Sequence, residues 1–530
     1  MATLTLQKTF GAFYTDEPAA TRLVDWAICD PRAVVLDPSC GAGVFLAAAV
    51  DRLLQLGCKS PQVYGVDISA AALQCARERV EKAQLIHSDF FDLAPGALPA
   101  FDCIVGNPPF IRYQTFNGKM TSKGHLRAVE AGARLPRLAS SWAPFVIHAA
   151  RFLRRGGRLA MVMPAELGHA MYARDVLRYL IQHFRHVGIE MFRDKLFGKL
   201  SQSTVLLLCE GYGEPCRVFV ISSAADLQGS GRQMARVDIS SVRNGTFRFT
   251  HYLVPDAVRE LYLGLAADRR VQRLGEVADV GIGYVTGANE FFHLSDEERR
   301  RWDISTRFLR PAVLNLRGFN DIEYRREYWI EHRKRGKKAY LLAVPPVPRG
   351  SLPNSIGRYL REGEASGVPE RYKCRIRQHW YVVPHVRIAD AFLSYMSDGQ
   401  PLLVTNAANL VAPNTIHLLR FADGRDPRCY AATWRNSLTR LSCELEGHAL
   451  GGGLFKLEPS EAENVLVVHP RPSHVPVLFE QLRHGPAGSG DQVADLTDRY
   501  ILKAKLGLTA SDCLLLRDAA VKIESWRKHK

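Results

Sequence analysis

Hydrophobic and polar positions along this chain follow two regimes. Between about residue 20 and 210, short apolar runs at 33–36, 62–66, 84–87, 103–105, 158–163 and 204–209 alternate with stretches of helical periodicity such as 70–82 and 143–154. That order predicts strand–helix–strand units, hence an α/β, doubly wound and largely parallel sheet with helices on both faces. Past about residue 245 the chain turns irregular and rich in Gly, Pro and Arg, with loops such as Pro345-Pro-Val-Pro-Arg-Gly350. This predicts a second, mixed α+β domain over 246–490. Residues 492–527 return to helical spacing, broken near Gly507 and Thr509, and read as two closing helices in a C-terminal segment, 491–530.

Composition narrows the class. The chain has 530 residues, 47% hydrophobic and 23% charged, enough to bury sizeable cores in two to four domains. No apolar stretch approaches the ~18 residues of a membrane span, and the N-terminus lacks the pattern of a secretory signal. A cytoplasmic protein is expected. Eleven scattered cysteines, never spaced Cys-x-x-Cys, support neither a disulfide framework nor a zinc ribbon. His183 and His186 stand at helical spacing but no ligand box accompanies them, so no metal is expected.

The net charge of +16 is unevenly distributed. Residues 101–200 carry 16 basic and 6 acidic groups (+10), residues 301–400 carry 19 and 10 (+9), and the remainder sums to −3. Two basic blocks in different parts of the chain favour a polyanion, with nucleic acid the leading partner.

A small-molecule site is legible in the first domain. Ala33-Val-Val-Leu-Asp37-Pro38-Ser-Cys-Gly41-Ala-Gly43 reads as a strand, an acidic end and a glycine turn opening a helix. Glycine lets backbone approach a ligand, and the helix N-terminus favours a carboxylate. The next strand ends Val66-Asp67-Ile68, with Asp67 lying 24 residues after Gly43 (67 − 43), close to the ~20 expected of a ribose-binding acid. Leu46 stands where a third glycine would, which disfavours a dinucleotide. His87-Ser-Asp89-Phe90 closes the third strand, Asp89 placed to accept from an adenine amino group and Phe90 to pack on its ring. The ligand suggested is an adenosine bearing an amino acid.

Phe101-Asp-Cys-Ile-Val-Gly106-Asn107-Pro108-Pro109-Phe110 is a fourth strand running into a rigid polar turn. With it, the sequence resembles the gamma-class adenine-N6 DNA methyltransferases of restriction-modification systems, typified by the Taq enzyme. Lys8-Thr-Phe-Gly-Ala-Phe13-Tyr14-Thr15 is similar to that family's N-terminal cofactor motif, although Asp16-Glu17-Pro18 replaces the usual immediate Thr-Pro. The resemblance covers residue 8 to about 210 with specific motifs and the rest more loosely. It implies a Rossmann-like class I methyltransferase domain over 1–245, S-adenosylmethionine as cofactor, and methyl transfer to adenine N6 in duplex DNA by base flipping. An adenine amino nitrogen is a poor nucleophile because its lone pair is delocalised. The Asn107 side-chain carbonyl and the Pro108 backbone carbonyl would accept its hydrogens, with Pro108 and Pro109 restricting the turn. Phe110 would stack on the base, Phe197 would form a second aromatic wall, and Arg112 and Tyr113 would touch phosphate or base.

By the same resemblance, Gly281-Ile-Gly283-Tyr-Val-Thr-Gly287 opens a target-recognition region. Arg375, Arg377, Trp380, Asn406 and Asn409 are candidate base contacts there, and Arg333, Lys334, Arg335, Lys337 and Lys338 candidate backbone contacts. Three alternatives share parts of this pattern. RNA adenine and protein-glutamine amino-methyltransferases use the same tetrapeptide, because a carboxamide or base amino group poses the same lone-pair problem. The long basic C-terminal region argues against a protein substrate. A non-catalytic DNA-binding subunit is disfavoured by the intact Asn107 and Asp67. A fused nuclease is disfavoured because the cofactor motif begins by residue 8 and no Pro-Asp…(Asp/Glu)-x-Lys cluster follows. A monomer is expected, with any restriction endonuclease on a separate chain.

Overall fold

The computed structural model describes residues 17–111, 119–137, 139–168, 170–192, 204–224, 232–450, 453–469, 472–483 and 490–528. They fall into two compact units that divide between Leu253 and Val254.

The first unit is built on one nine-stranded sheet. Its strands are β1 (Val34–Asp37), β2 (Gln62–Asp67), β3 (Gln84–His87), β4 (Phe101–Gly106), β5 (Leu153–Pro164), β6 (Phe184–Phe192), β7 (Thr204–Tyr212), β8 (Val218–Ala224) and β9 (Gln233–Arg236), in spatial order 3-2-1-4-5-7-6-8-9. β1 to β5 are parallel to one another, while β7 runs antiparallel between β5 and β6. The chain steps outward from β1 to β3 and then reverses to β4. Right-handed crossovers therefore put the helices of the two halves on opposite faces. The helices are α1 (Glu17–Ala27), α2 (Val44–Gln55), α3 (Ala70–Arg79), α4 (Lys119–Glu130), α5 (Trp142–Ala150), α6 (Ala173–His183) and α7 (Ile239–Asn244). All six residues of β4 are buried, as expected for a central strand covered on both faces. Side chains such as Ile104 and Val105 contribute about 1.5–3 kcal/mol each by that burial.

Two boundaries differ from the sequence reading. Gly245, the expected end of the first domain, is the left-handed C-cap of α7 (φ 74°) and so marks a helix stop. The chain stays with the first unit to Leu253, because Phe247 packs on Phe219 with ring centroids 5.7 Å apart and Phe249 lies against Gly168. His183 and His186 do not share a helix: α6 ends at His183, Phe184 is already extended, and His186 lies in β6 beside Glu210.

In the second unit a four-stranded antiparallel sheet, ordered Ala278–Ile282, Ile416–Phe421, Ala391–Ser394, Leu403–Thr405, separates two cores. Alternate side chains point to opposite faces of a strand. Accordingly Ala391, Leu393, Leu403 and Leu419 enter one core, and Phe392, Val404 and Leu418 the other. The C-terminal helix Ala510–Lys528 sends Cys513, Leu516, Ala519, Ala520 and Ile523 into the first of these cores. The described part of the C-terminal segment thus packs into this unit. Arg527, its side chain 6% exposed, clamps Glu444 through two 3.0 Å bonds. No helix among the described residues is long and apolar enough to cross a membrane.

Candidate active site

The reversal of strand order leaves β1 and β4 side by side, and in such sheets ligands bind at the carboxyl ends of the strands flanking this point. Asp37 ends β1 and Gly106 ends β4. Asp37 is 1% exposed. Its Oδ1 accepts the Ser39 N–H at 3.1 Å, whereas its Oδ2 has no hydrogen bond among the described residues. Burial pushes its carboxyl up to about 8, opposed by the Ser39 N–H and reinforced by the nearby Asp67 charge. A buried carboxylate with an open lone pair is costly unless a cation or donor completes it. A Cβ at Gly106 would lie 2.7 Å from Asp37 Oδ1, so only glycine lets the two strand ends meet this closely.

The glycine turn supplies the adjoining surface. Gly43 adopts a left-handed conformation (φ 82°) as N-cap of α2, and no side chain caps that helix. Its first amides are thereby oriented for an anionic group. Asp67, at the end of β2, accepts the Gly41 N–H through Oδ2 and the Ser69 N–H through Oδ1, both at 2.8 Å. The expected ribose ligand therefore also ties the glycine turn to the start of α3. Ile68 beside it is exposed. Together the open Asp37 oxygen, the uncapped helix and Asp67 fit the ammonium, carboxylate and hydroxyls of an amino-acid-bearing nucleoside.

Asp89 caps the short turn Phe90–Asp92, accepting the Phe91 N–H at 3.1 Å. Its other oxygen is held by Lys123 of α4 at 3.1 Å, and the same ammonium reaches Asp92 at 2.7 Å. Hydrogen bonds to both acids push the Lys123 ammonium up. Phe90 corrects the sequence reading: its ring is 4% exposed and packs among Phe145, His148 and Phe152, with centroids 4.8–5.1 Å away. It supports the turn from beneath. His148 Nε2 faces the carbonyls of Phe90 and Leu93 at 3.3 and 3.1 Å, so that nitrogen carries the hydrogen. Burial lowers His148 to about 4 and keeps it neutral.

The Asn107-Pro108-Pro109-Phe110 turn follows β4 directly. Neither proline has an N–H, so the turn cannot fix its carbonyls by its own backbone bonds. It is pinned from outside. The Ser39 hydroxyl donates to the Asn107 carbonyl at 3.2 Å. The hydroxyl of buried Ser141, N-cap of α5, donates to the Pro109 carbonyl and accepts the Ile111 N–H at 2.8 Å. The Ser141 N–H in turn donates to the Ile111 carbonyl at 3.0 Å. The Pro108 carbonyl thus sits between two anchored neighbours. Sequence reasoning missed Ser39, Ser141 and Lys123; a serine opening the apolar stretch 142–150 is a cap signal, but nothing local says which turn it reaches.

Phe13, Tyr14, Thr15, Arg112, Tyr113 and Phe197 lie outside the described residues. In the second unit several expected DNA contacts are engaged with the protein itself. Asn406 is buried, donating to the Ala389 and Leu410 carbonyls and accepting the Leu410 N–H, all at 2.9 Å, so no edge of its amide faces outward. Arg377 donates to the carbonyls of Val285, Thr286 and Trp380, and Trp380 packs on Phe291 and Phe292. Arg333 lies over Trp329 and pairs with Asp296, and Lys338 pairs with Glu298. Arg335 pairs with Glu331 one turn earlier. Lys334, Lys337, Arg375 and Asn409 are exposed.

Residues 2–233 match the family model of the N-6 DNA methylases, and residues 246–502 match that of the C-terminal domain of Type II methyltransferase M.Eco57I. The chain is 20% identical over 472 residues to Type II methyltransferase M.AccI of Acinetobacter calcoaceticus, covering 86% of this chain and 84% of that one. It is 22% identical over 489 residues to Type II methyltransferase M.XamI of Xanthomonas campestris pv. amaranthicola, covering 86% and 85%. Among solved structures, the Type IIL restriction-modification enzyme MmeI in complex with DNA shares the fold, with a TM-score of 0.61 at 11% identity over 99% of this chain and 76% of that chain.

Proposed function

We propose that this chain, whose residues 2–233 match the N-6 DNA methylase model, transfers a methyl group from S-adenosylmethionine to adenine N6 at specific sites in duplex DNA, as the modification enzyme of a restriction-modification system. The observation that carries the proposal is the juxtaposition of two groups at the switch point. Asp37 offers an open, buried oxygen at the end of β1, and one strand away the Asn107-Pro-Pro-Phe turn presents its carbonyls. S-adenosylmethionine, when bound, supplies the electrophilic methyl group on a sulfonium leaving group.

The chain's own residues do the rest. Asp37 would hold the ammonium, the N-terminus of α2 the carboxylate, Asp67 the ribose hydroxyls and Asp89 the adenine of the cofactor. The Asn107 side-chain carbonyl and the Pro108 carbonyl would accept the two hydrogens of the target amino group. Its lone pair would then turn out of conjugation toward the methyl. Ser39 and Ser141, bonded to the main-chain carbonyls of Asn107 and Pro109, would hold the turn that carries those acceptors, so positioning supplies most of the acceleration and no strong base is needed. The target adenine must leave the duplex stack to reach the turn. We place the protein in the cytoplasm as a monomer acting on DNA, with any endonuclease on a separate polypeptide.

The test is incubation with labelled cofactor and, separately, duplex DNA and RNA, followed by mass spectrometry of the digested nucleosides. N6-methyladenine from DNA is expected. Label confined to RNA or appearing as methylcytosine overturns the proposal. Asn107→Ala should lower turnover about 10²-fold or more while cofactor binding stays near normal.

A further inference from the structure

The two most exposed large apolar side chains described in the second unit are Tyr372, at 63%, and Ile376, at 60%. They belong to one turn: the Ile376 N–H donates to the Tyr372 carbonyl at 3.4 Å, at the end of the short helix Tyr372–Arg375. Residues four apart on such a turn stand next to one another. The opposite side of the turn is anchored. Cys374 is fully buried with its thiol toward the Thr286 carbonyl, and Arg377, three residues on, holds the Val285 and Thr286 carbonyls at 2.7 and 2.8 Å. Arg371 pairs with Glu290. Gly287 packs so closely that a Cβ there would sit 2.9 Å from Lys373 Cβ. The turn is therefore fixed on its inner side while presenting two adjacent bulky apolar groups outward.

Charge indicates what covers them. From Arg371 to Ala389 the sequence holds five Lys or Arg and no Asp or Glu, and with Arg371 paired and Arg377 turned inward, Lys373, Arg375 and Arg387 remain exposed. Lys373 lies over the Tyr372 ring, 5.5 Å from its centroid, and Arg375 is exposed between the two apolar residues. An apolar tip set among cations suits a polyanion whose interior is apolar, and stacked base pairs behind phosphates have that character. We infer that the Tyr372–Ile376 turn is a wedge for duplex DNA: Tyr372 and Ile376 press against or between base steps while Lys373 and Arg375 take the adjoining phosphates. The inference rests on the proposed action on DNA and names a contact surface within it.

The experiment first establishes a duplex that the wild-type chain methylates, then measures affinity for that duplex by fluorescence anisotropy over a range of salt. The double substitution Tyr372→Ala/Ile376→Ala should weaken binding about tenfold or more with the salt dependence unchanged. The loss should shrink on a duplex carrying a mismatch, where unstacking is already partly achieved. Lys373→Ala/Arg375→Ala should instead reduce the slope of log affinity against log salt by about 0.9 for each cation. Tyr372→Trp/Ile376→Leu, which keeps the apolar tip, should behave as wild type. All four positions are exposed or half-exposed, and unchanged thermal unfolding certifies the fold of each variant. Wild-type affinity and methylation in the double alanine variant overturn the wedge. So does a wild-type dimer that this variant dissolves while DNA binding persists, which would make the patch a contact between copies. A wild-type chain that methylates no DNA refutes the proposed function itself, before any variant is made.

Discussion

Cofactor binding should be coupled to a proton at Asp37. With its carboxyl pushed up to about 8 by burial, about nine in ten molecules carry a proton there at pH 7. A ligand cation that engages the open oxygen requires the ionised form. Binding should then release about 0.9 proton at pH 7 and about 0.5 at pH 8, and affinity should rise about ninefold from pH 6 to 7 and about fivefold from 7 to 8. The sign for stability follows. Because the folded pKa lies above the unfolded value of about 3.9, the ligand-free fold loses stability as pH rises between roughly 4 and 8, and bound ligand offsets that loss. The assay is calorimetry with S-adenosylhomocysteine from pH 6 to 9 in buffers of different ionisation enthalpy. The ligand's own α-amino group is that of a free amino acid, so it stays an ammonium through pH 8 and weakens binding only as it loses its proton above that. Asp37→Asn shares this effect, so the ratio of wild type to variant isolates Asp37. A flat affinity from pH 6 to 8 with buffer-independent heats, or an unchanged slope in Asp37→Asn, would refute the reasoning.

Ser141→Ala removes one donated and one accepted hydrogen bond at the catalytic turn. Single-turnover methylation should slow about tenfold or more while cofactor affinity stays within about twofold; the reverse pattern would place Ser141 in the cofactor site. Lys123→Met frees the Asp89 oxygen that the ammonium occupies. Cofactor should bind about two- to fivefold tighter at low salt, with the difference fading at high salt, and weaker binding would mean that Lys123 assists adenine recognition instead. Arg527→Met strands the buried Glu444 carboxylate, whose pKa burial already raises. Denaturant unfolding should show a loss of about 3–5 kcal/mol in the second unit with the first unit's transition unmoved.

What could be read in advance was what is local. The glycine turn, Asp67 at a strand end and Asn107-Pro-Pro-Phe110 each combine a conformational and a chemical requirement within a few residues, and β1 to β4 followed from short apolar runs. β6 was missed because its Arg185, Gly188 and Glu190 interrupt the apolar run and it leaves α6 without a turn. The helix expected over 143–154 overran into β5 because Phe152 and Leu153 resume apolar positions after Arg151. Side-chain direction was harder still. Phe90 follows an acid placed for adenine, yet Phe145, His148 and Phe152, more than fifty residues away, provide the cluster that takes its ring. Asn406 and Arg377 have the donors of base readers, but neighbouring loop carbonyls claim them first.

The helix Ala510–Lys528 completes a core whose other walls begin near Val254. During synthesis the first unit, whose described residues all precede Val254, can close while translation continues. The second cannot exclude water from Leu438, Leu441 and Leu445 until its last helix has cleared the ribosome tunnel. A message cut short inside that helix would therefore release a chain with an intact catalytic unit tethered to an open, sticky partner. Such a product is suited to capture by chaperones and proteases before it can modify DNA without discrimination.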